Sequence, residues 1–373
     1  MDYMQNGFKI GRLFGIDIFI DYSWLIIFFL ITWLFSTSFF PTFFPEFSSS
    51  VNIALGISTS ILFFLSALAH EFMHSLVAKA NKIEVKKITL FLFGGVSEIF
   101  EEPDTAKTEF KIAVAGPLAS FFLAGLFWLL SLLFSYQIVI EEAFAVSSTL
   151  ARANLVLGIF NLLPGFPLDG GRIFRSIIWY FSKDLMESTK IASSAGKFIA
   201  FLIIMLGIFE IFAFGFWGGI WLILIGIFLL QAASQSYLEL LISEKLKNKK
   251  ALNFAVDNYP LIRSNESIDR VIDNYFIHKN YDRLPVINDS EEIIGSITIK
   301  DIRKSTNEET TVQNIMRPYP ERLKISKDDD ASKALRLMIR TDETFIPIKE
   351  NKKTSSIVTL ESIAKYLSDK KII

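Results

Sequence analysis

Six stretches of this chain are each long and apolar enough to cross a lipid bilayer, which restricts the fold more than any other feature of the sequence. A crossing helix needs roughly 20 mainly apolar residues, because backbone polar groups in the hydrocarbon must bond within the helix. With 51% hydrophobic residues, 37 Phe and a mean hydropathy of +0.40, the chain is too apolar for an ordinary soluble protein. The predicted spans are Tyr22–Phe40, Ile53–Ala78, Lys111–Ser135, Ala143–Leu163, Lys197–Phe214 and Phe216–Ser234.

The connecting segments alternate in their content of Lys and Arg. The polar lead before the first span, residues 79–111 and residues 164–197 all contain basic residues, whereas residues 40–52 and 136–142 contain none. Because basic segments stay on the cytoplasmic side, this alternation predicts a multi-pass protein of the cell membrane with both termini in the cytoplasm. Arg152 lies inside the fourth span, where an Arg is expected to be paired or to line a polar cavity.

The C-terminal third differs sharply in composition from the rest. Residues 245–373 are charged and typical of a soluble domain, so we predict a membrane domain at 1–240, a linker at 241–250 and soluble repeats at 251–310 and 311–373. The net charge of -1 gives no support for a nucleic-acid partner. The chain has no Cys, which excludes disulfides and cysteine-based catalysis or metal binding.

Two of the three His residues lie in the segment His70-Glu71-Phe72-Met73-His74. On a helix, side chains four residues apart project from one face, at the separation that two ligands of a tetrahedral zinc require. A Glu beside the first His can then act as a base on metal-bound water. Each ionisable group inside a span costs roughly 2.5–3.5 kcal/mol, so a purely structural role, as polar residues that bond neighbouring helices, is the weaker alternative.

Zinc also needs a third protein ligand and an open position for water. His278 lies in the soluble tail, so a carboxylate is expected, and Asp169 follows the helix-breaking residues Pro164 and Pro167 at the end of the fourth span. Irregular backbone at membrane depth is tolerated where it is buried in protein or lines a wet cavity. Alone, such a segment could be an ordinary span terminus. Together with the His pair it makes Asp169 the leading candidate for the third ligand.

Residues 8–235 resemble the site-2 protease family of intramembrane metalloproteases. The resemblance rests on the His-Glu-x-x-His helix, on Gly116-Pro117, and on the segment that runs from Asn161 through Leu168-Asp169-Gly170. It implies one zinc ion per chain bound by His70, His74 and Asp169, with Glu71 as the general base. It further implies that Asn161 holds the substrate or stabilises the oxyanion, and that the substrate is a single-span membrane protein.

The segment Lys82–Glu98 alternates apolar and polar residues, is rich in Val, Ile and Phe, and contains Gly94-Gly95. This pattern is typical of a strand with a close backbone approach. An exposed strand edge at Gly94 and Gly95 could bind an unwound substrate by β-augmentation. An ordinary cytoplasmic hairpin accounts for the pattern equally well, and the family resemblance favours substrate binding.

The soluble tail contains an internal repeat. The segment Arg283–Ile287 is echoed by Thr344–Ile348, and Gly295–Asp301 is echoed by Ser356–Ser362. Two repeats of this size predict a pseudo-symmetric α/β pair. The pattern resembles a tandem pair of cystathionine-β-synthase (CBS) domains, which often bind adenine nucleotides. That resemblance implies ATP, ADP or AMP at Thr298 and Asp301, whereas the second repeat carries Ser362 in place of the Asp. A dimerisation or scaffolding module without a ligand remains open.

The predicted fold is therefore an α-helical polytopic membrane domain of six transmembrane helices with a small β-hairpin or sheet, followed by a soluble α/β tandem CBS domain. The predicted function is zinc-dependent intramembrane proteolysis under adenine-nucleotide control. Further predicted partners are membrane lipid and, in a homodimer, a second copy of the chain. A metal transporter would need several ligand clusters along a path, and the sequence offers one. A catalytically dead nucleotide-sensing scaffold would carry a damaged motif, and Glu71 is intact.

Overall fold

The computed structural model describes most of the chain in two compact units, Met1–Leu238 and Glu239–Ile373. Each unit is described by itself. The described residues are 7–92, 94–99, 103–135, 141–214, 216–256, 259–277, 281–304, 311–319, 323–341, 343–350 and 353–370.

Six helices among the described residues are long and apolar enough to cross a membrane, which confirms the six predicted spans. A shorter amphipathic helix, α6, precedes the fifth span and was not predicted. The fifth span itself begins at Leu185, well before the predicted Lys197. The helices are α1 (Tyr22–Leu34), which continues through a π-helical segment (Phe35–Phe39) into α2 (Phe40–Phe43), then α3 (Ser49–Ala80), α4 (Ala106–Ser135), α5 (Glu141–Asn161), α6 (Asp169–Ser182), α7 (Leu185–Phe214) and α8 (Phe216–Leu246).

A four-stranded sheet lies against the end of α3, with the strand order β1-β2-β3-β4. The region predicted as a strand supplies β3 (Val85–Phe91) and β4 (Gly94–Ile99). The polar lead, for which no structure was predicted, supplies β1 (Gly7–Leu13) and β2 (Ile16–Asp21). Strand β2 pairs in parallel with β3, and the other two pairs are antiparallel.

The sheet and the spans are joined closely. Asp21 ends β2 and also caps α1, because its carboxylate accepts from the backbone N–H of Ser23 at 2.8 Å. At the turn between β1 and β2, the Lys79 ammonium donates to the Phe14 carbonyl at 2.6 Å. Beneath the sheet, Ile88 packs with Ile112 of α4 in one buried apolar cluster. The sheet is therefore fixed alongside the last turns of α3.

Arg152 is exposed on α5, on the side of the helix opposite the buried Asn154. No residue in the described part of the chain pairs with its guanidinium. Of the two predicted alternatives, a paired Arg152 or one that lines a polar cavity, the structure gives no support for the first.

The second unit contains two four-stranded sheets of matching design, as the sequence repeat predicts. One has the order β6-β7-β8-β9 and the other β10-β11-β12-β5, so each sheet is completed by a short strand from elsewhere in the tail. The strands are β5 (Ala255–Val256), β6 (Ile262–Arg263), β7 (Arg283–Ile287), β8 (Ile293–Thr298), β9 (Arg317–Pro318), β10 (Ile325–Ser326), β11 (Phe345–Glu350) and β12 (Lys353–Thr359). The helices are α9 (Ile268–Val271), extended by a π-helical segment (Ile272–Ile277), α10 (Ile299–Lys304), α11 (Val312–Ile315), α12 (Ala331–Thr341) and α13 (Leu360–Asp369), and a 3₁₀ turn spans Ala251–Phe254.

Candidate active site

His70 and His74 lie one helical turn apart on α3, and each is 3% exposed. Their Nε2 atoms are 3.3 Å apart, so both rings point to the same place. The sequence spacing predicted this arrangement, since side chains at i and i+4 share a helix face.

The other nitrogen of each ring is held by α4. His74 Nδ1 lies 2.6 Å from the carbonyl oxygen of Ile112, and His70 Nδ1 lies 2.8 Å from the hydroxyl oxygen of Ser120. A carbonyl only accepts, so Nδ1 of His74 carries the proton and its Nε2 presents a lone pair. Such contacts fix the orientation and the tautomer of metal-binding imidazoles.

Gly116 allows α4 to pass directly beside the two His rings. A Cβ atom at this position would lie 2.2 Å from Nε2 of His74 and 2.6 Å from Nε2 of His70. These distances are far shorter than any non-bonded contact, so glycine is required for the helix to approach this closely.

Asp169 is the first residue of α6 and completes the cluster. Its Oδ2 atom lies 3.0 Å from Nε2 of His70 and 3.1 Å from Nε2 of His74. The segment before Asp169 is tightly packed, since a Cβ on Gly170 would lie 2.3 Å from the Leu162 carbonyl group and one on Gly196 of α7 would lie 2.1 Å from the Phe166 carbonyl oxygen. The loop therefore places the carboxylate against the two rings.

These three ligand atoms form the only cluster of potential metal-binding groups found among the described residues. Ligand atoms of a tetrahedral zinc, bonded at roughly 2.0–2.1 Å, lie about 3.3 Å from one another. The measured separations of 3.0, 3.1 and 3.3 Å are close to that value. Two imidazoles and one carboxylate also match the donor set of catalytic zinc sites. The residues therefore fit zinc.

Glu71 is partly buried between α3 and the sheet. A Cβ on Gly95 would lie 2.3 Å from its Cγ atom and 3.3 Å from its Oε1 atom, so β4 passes directly over this side chain. Gly94, with φ of +133°, begins the strand in a conformation that favours glycine. Strand β4 is at the edge of its sheet. The structure thus brings Gly95 and Glu71 together.

Asn161 ends α5, and its amide nitrogen donates to the Leu157 carbonyl in the same helix at 3.0 Å. No hydrogen bond joins it to His70, His74 or Asp169 in the described structure. Its predicted role, holding the substrate or stabilising the oxyanion, stays a prediction.

A buried ion pair between α4 and α6 was not predicted. Arg175 Nε donates to Oε1 of Glu109 at 2.7 Å, and Nη2 donates to the same oxygen. Arg175 is 8% exposed and Glu109 is fully buried. The pair connects the helix that orients the two His rings with the helix that begins at Asp169. The two partners are 66 positions apart, so no local pattern reveals them.

In the second unit, the predicted residues Thr298 and Asp301 lie together at the start of α10. The Thr298 hydroxyl donates to Asp301 Oδ2 at 2.6 Å, and Arg317 Nε donates to Oδ1 at 2.8 Å. Partial burial raises the pKa of Asp301, but the hydrogen bonds from Thr298 and Arg317 outweigh that effect and hold the pKa below its ordinary value. In the second repeat, Ser362 occupies the equivalent position and makes the same reciprocal capping contacts to Thr359, but it has no carboxylate.

Similarity to known proteins covers both units. Residues 58–152 and 134–206 match the family model for peptidase family M50, and residues 253–308 and 312–369 match the CBS domain. A protein of Synechocystis sp. named as a zinc metalloprotease is 34% identical over 86% of this chain and 84% of its own. A zinc metalloprotease of Methanocaldococcus jannaschii is 33% identical over 83% of this chain and 84% of its own. The solved structure of a site-2 protease from the same organism is 30% identical, covers 62% of this chain and 95% of its own, and gives a TM-score of 0.44.

Proposed function

Because this chain belongs to peptidase family M50, the site-2 proteases, we propose that it hydrolyses peptide bonds of single-span membrane proteins within the bilayer. It is a multi-pass zinc metalloendopeptidase with a tandem CBS domain. The observation that carries the proposal is the contact of His70, His74 and Asp169, beside Glu71, on helices of a membrane domain. We also propose that the membrane domain ends at residue 240, that a linker runs to residue 250, and that the two CBS repeats meet at residue 310.

In peptide-bond hydrolysis, each group of residues has its own role. Zinc held by His70, His74 and Asp169 would polarise the scissile carbonyl and acidify water. Glu71 takes the proton from the attacking water and returns it to the leaving amine. The Asn161 amide keeps a second N–H, beyond the one bonded to Leu157, that can donate to the oxyanion.

The edge of β4 is the proposed binding site for the substrate backbone. A helical substrate has its carbonyls hydrogen-bonded and shielded, so it must unwind before attack. An unwound segment can pair with the free edge of β4 at Gly94 and Gly95, and the close approach of Gly95 to Glu71 would then bring it beside the base.

The test is cleavage of a panel of single-span proteins by the purified chain in liposomes. Cleavage inside or beside the spanning segment is expected, with loss on chelation and recovery on adding zinc. Cleavage that is insensitive to chelation would contradict the proposal. Uptake of radiolabelled zinc by the same liposomes without cleavage would instead indicate a transporter.

Gly95→Ala is expected to lower kcat by at least tenfold while zinc content stays unchanged. The new Cβ would overlap Glu71 Cγ, so the Glu71 side chain must move, and misplacing a catalytic group by about 1 Å can cost roughly 100-fold in rate. Gly11→Ala in β1 of the same sheet is the matched control, because a Cβ there meets nothing within 4 Å. Normal turnover by Gly95→Ala would show that β4 can shift freely.

We also propose that the tail binds adenine nucleotide at one site per chain, which controls the protease. Asp301 carries a carboxylate of lowered pKa that can accept from ribose hydroxyls, whereas Ser362 at the equivalent position of the second repeat has no charged acceptor. The charge pattern of the connecting segments supports termini in the cytoplasm, where such nucleotides are available.

Asp301→Asn is expected to weaken nucleotide binding by roughly 10–100-fold, since a hydrogen bond to a charged acceptor contributes about 1.5–3 kcal/mol. Ser362→Ala is the control and is expected to leave affinity unchanged. Isothermal titration of the full chain with AMP, ADP and ATP measures both variants. A stoichiometry of two, or equal loss in both variants, would contradict a single site at Asp301.

A further inference from the structure

A cleft of about 270 Å³ opens between the first turns of α4 and the last turns of α6, away from the metal ligands. Lys107 and Lys111 line it from α4, and Tyr180 lines it from α6. Residues at i and i+4 share a helix face, so the two lysines project together into the cleft. Since α4 begins a membrane span at Ala106, this cleft lies where the bilayer meets water.

Positive charge collects at the cleft. The ammonium groups of Lys107 and Lys183 lie 5.9 Å and 4.5 Å from the centroid of the same Tyr180 ring. In the described part of the chain, no carboxylate forms an ion pair with Lys107, Lys111 or Lys183. The nearby Glu109 faces the other side of α4 and is bonded to Arg175, and Asp184 accepts from the Glu187 backbone N–H. Asp104, three residues before Lys107, is exposed and likewise forms no ion pair with these lysines in the described structure. Three lysines and two neighbouring acids leave the cleft with a positive balance, which suits an anion.

The walls below these lysines are apolar and exposed. Phe110, Ile177 and Phe181 are 41%, 45% and 77% exposed, and all three line the cleft. A free inorganic anion gains nothing from such walls. A phospholipid would place its phosphate among the ammonium groups and its acyl chains against these side chains.

We propose that the α4–α6 cleft binds an anionic phospholipid from the leaflet at the N-terminal end of α4. Lys107, Lys111 and Lys183 contact the phosphate, and Tyr180 holds two of the ammonium groups in place. Phe110, Ile177 and Phe181 contact the acyl chains. Because α6 begins at Asp169 and α4 orients both His rings of α3, the lipid would join the helix that carries one metal ligand to the helix that orients the other two.

The test measures binding of dioctanoyl phosphatidylglycerol, dioctanoyl phosphatidylcholine and inorganic phosphate to the full chain in detergent. Phosphatidylglycerol is expected to bind more tightly than the other two. The double variant Lys107→Gln/Lys183→Gln should lose about 25-fold in affinity for it, since each lysine near an anionic headgroup contributes roughly fivefold. Phe181→Ser should weaken phosphatidylglycerol binding and leave phosphate binding unchanged.

A charge-matched control is the double variant Lys82→Gln/Lys190→Gln, whose two exposed lysines do not line the cleft. It should bind phosphatidylglycerol as tightly as the wild type. Equal affinity of the wild type for both lipids, equal losses in the two double variants, or phosphate binding as tight as that of phosphatidylglycerol would each overturn the proposal. Thermal unfolding of every variant shows whether a loss of binding reflects a loss of fold.

Discussion

Replacing Gly116 by Ala is expected to remove zinc from the protein and to lower cleavage by at least a thousandfold. The new Cβ would lie 2.2 Å and 2.6 Å from the Nε2 atoms of His74 and His70, the atoms that face Asp169. Either α4 must move away, which breaks the Ile112 and Ser120 contacts to the rings, or the rings must rotate. Both changes displace the ligand atoms, and metal sites tolerate little displacement.

The control for Gly116→Ala is Gly125→Ala in the same helix. A Cβ at Gly125 meets nothing within 4 Å, so this change should keep full zinc content and activity. It should even stabilise α4 slightly, because Gly in a helix costs roughly 0.5–1 kcal/mol relative to Ala. Zinc per chain measured by atomic emission, together with cleavage, compares the two. A Gly116→Ala protein with full zinc content would show that α4 does not restrict the rings.

The presence of Gly116 within a long helix therefore has a physical reason that the sequence shows only in part. The Gly116-Pro117 pair is visible in the sequence as part of the family resemblance. That its missing side chain leaves room for two imidazole nitrogens requires the distance between α3 and α4. Tertiary distances of this kind are not encoded in any local pattern.

The features predicted well are those set by solvent and by helix geometry. The bilayer requires long apolar helices, so the six spans were visible from hydropathy. The helical period places His70 and His74 together whatever surrounds them. Asp169 was predicted because zinc requires a third protein ligand beside the two His, and the structure brings its carboxylate to the two rings.

The features missed are short or depend on distant partners. Strand β2 alternates buried Ile16, Ile18 and Ile20, but six residues before an apolar span give a weak signal. Helix α6 is too short and too polar to cross a membrane, so hydropathy does not reveal it. The Glu109–Arg175 pair depends on the packing of α4 against α6, which only the folded chain defines.

Glu71→Gln is expected to leave zinc binding intact and to lower kcat by roughly a hundredfold to ten thousandfold, the range that a general base supplies. The amide has nearly the same size as the carboxylate, so it should fit beside Gly95 without moving β4. It cannot accept a proton from water at neutral pH. The variant should therefore bind substrate with unchanged affinity and fail only in the chemical step.

Zinc content and activity, measured together, distinguish the role of Glu71 as a base from the role of the metal ligands. Asp169→Asn should lose zinc and activity together, because it removes a charged ligand candidate, whereas Glu71→Gln should lose activity alone. Glu84→Gln, an exposed Glu beyond the end of α3, is the control and should behave as the wild type. Cleavage in liposomes and zinc content are measured on all three proteins. An active Glu71→Gln enzyme would contradict this assignment, because another group would then have to take the proton from the attacking water.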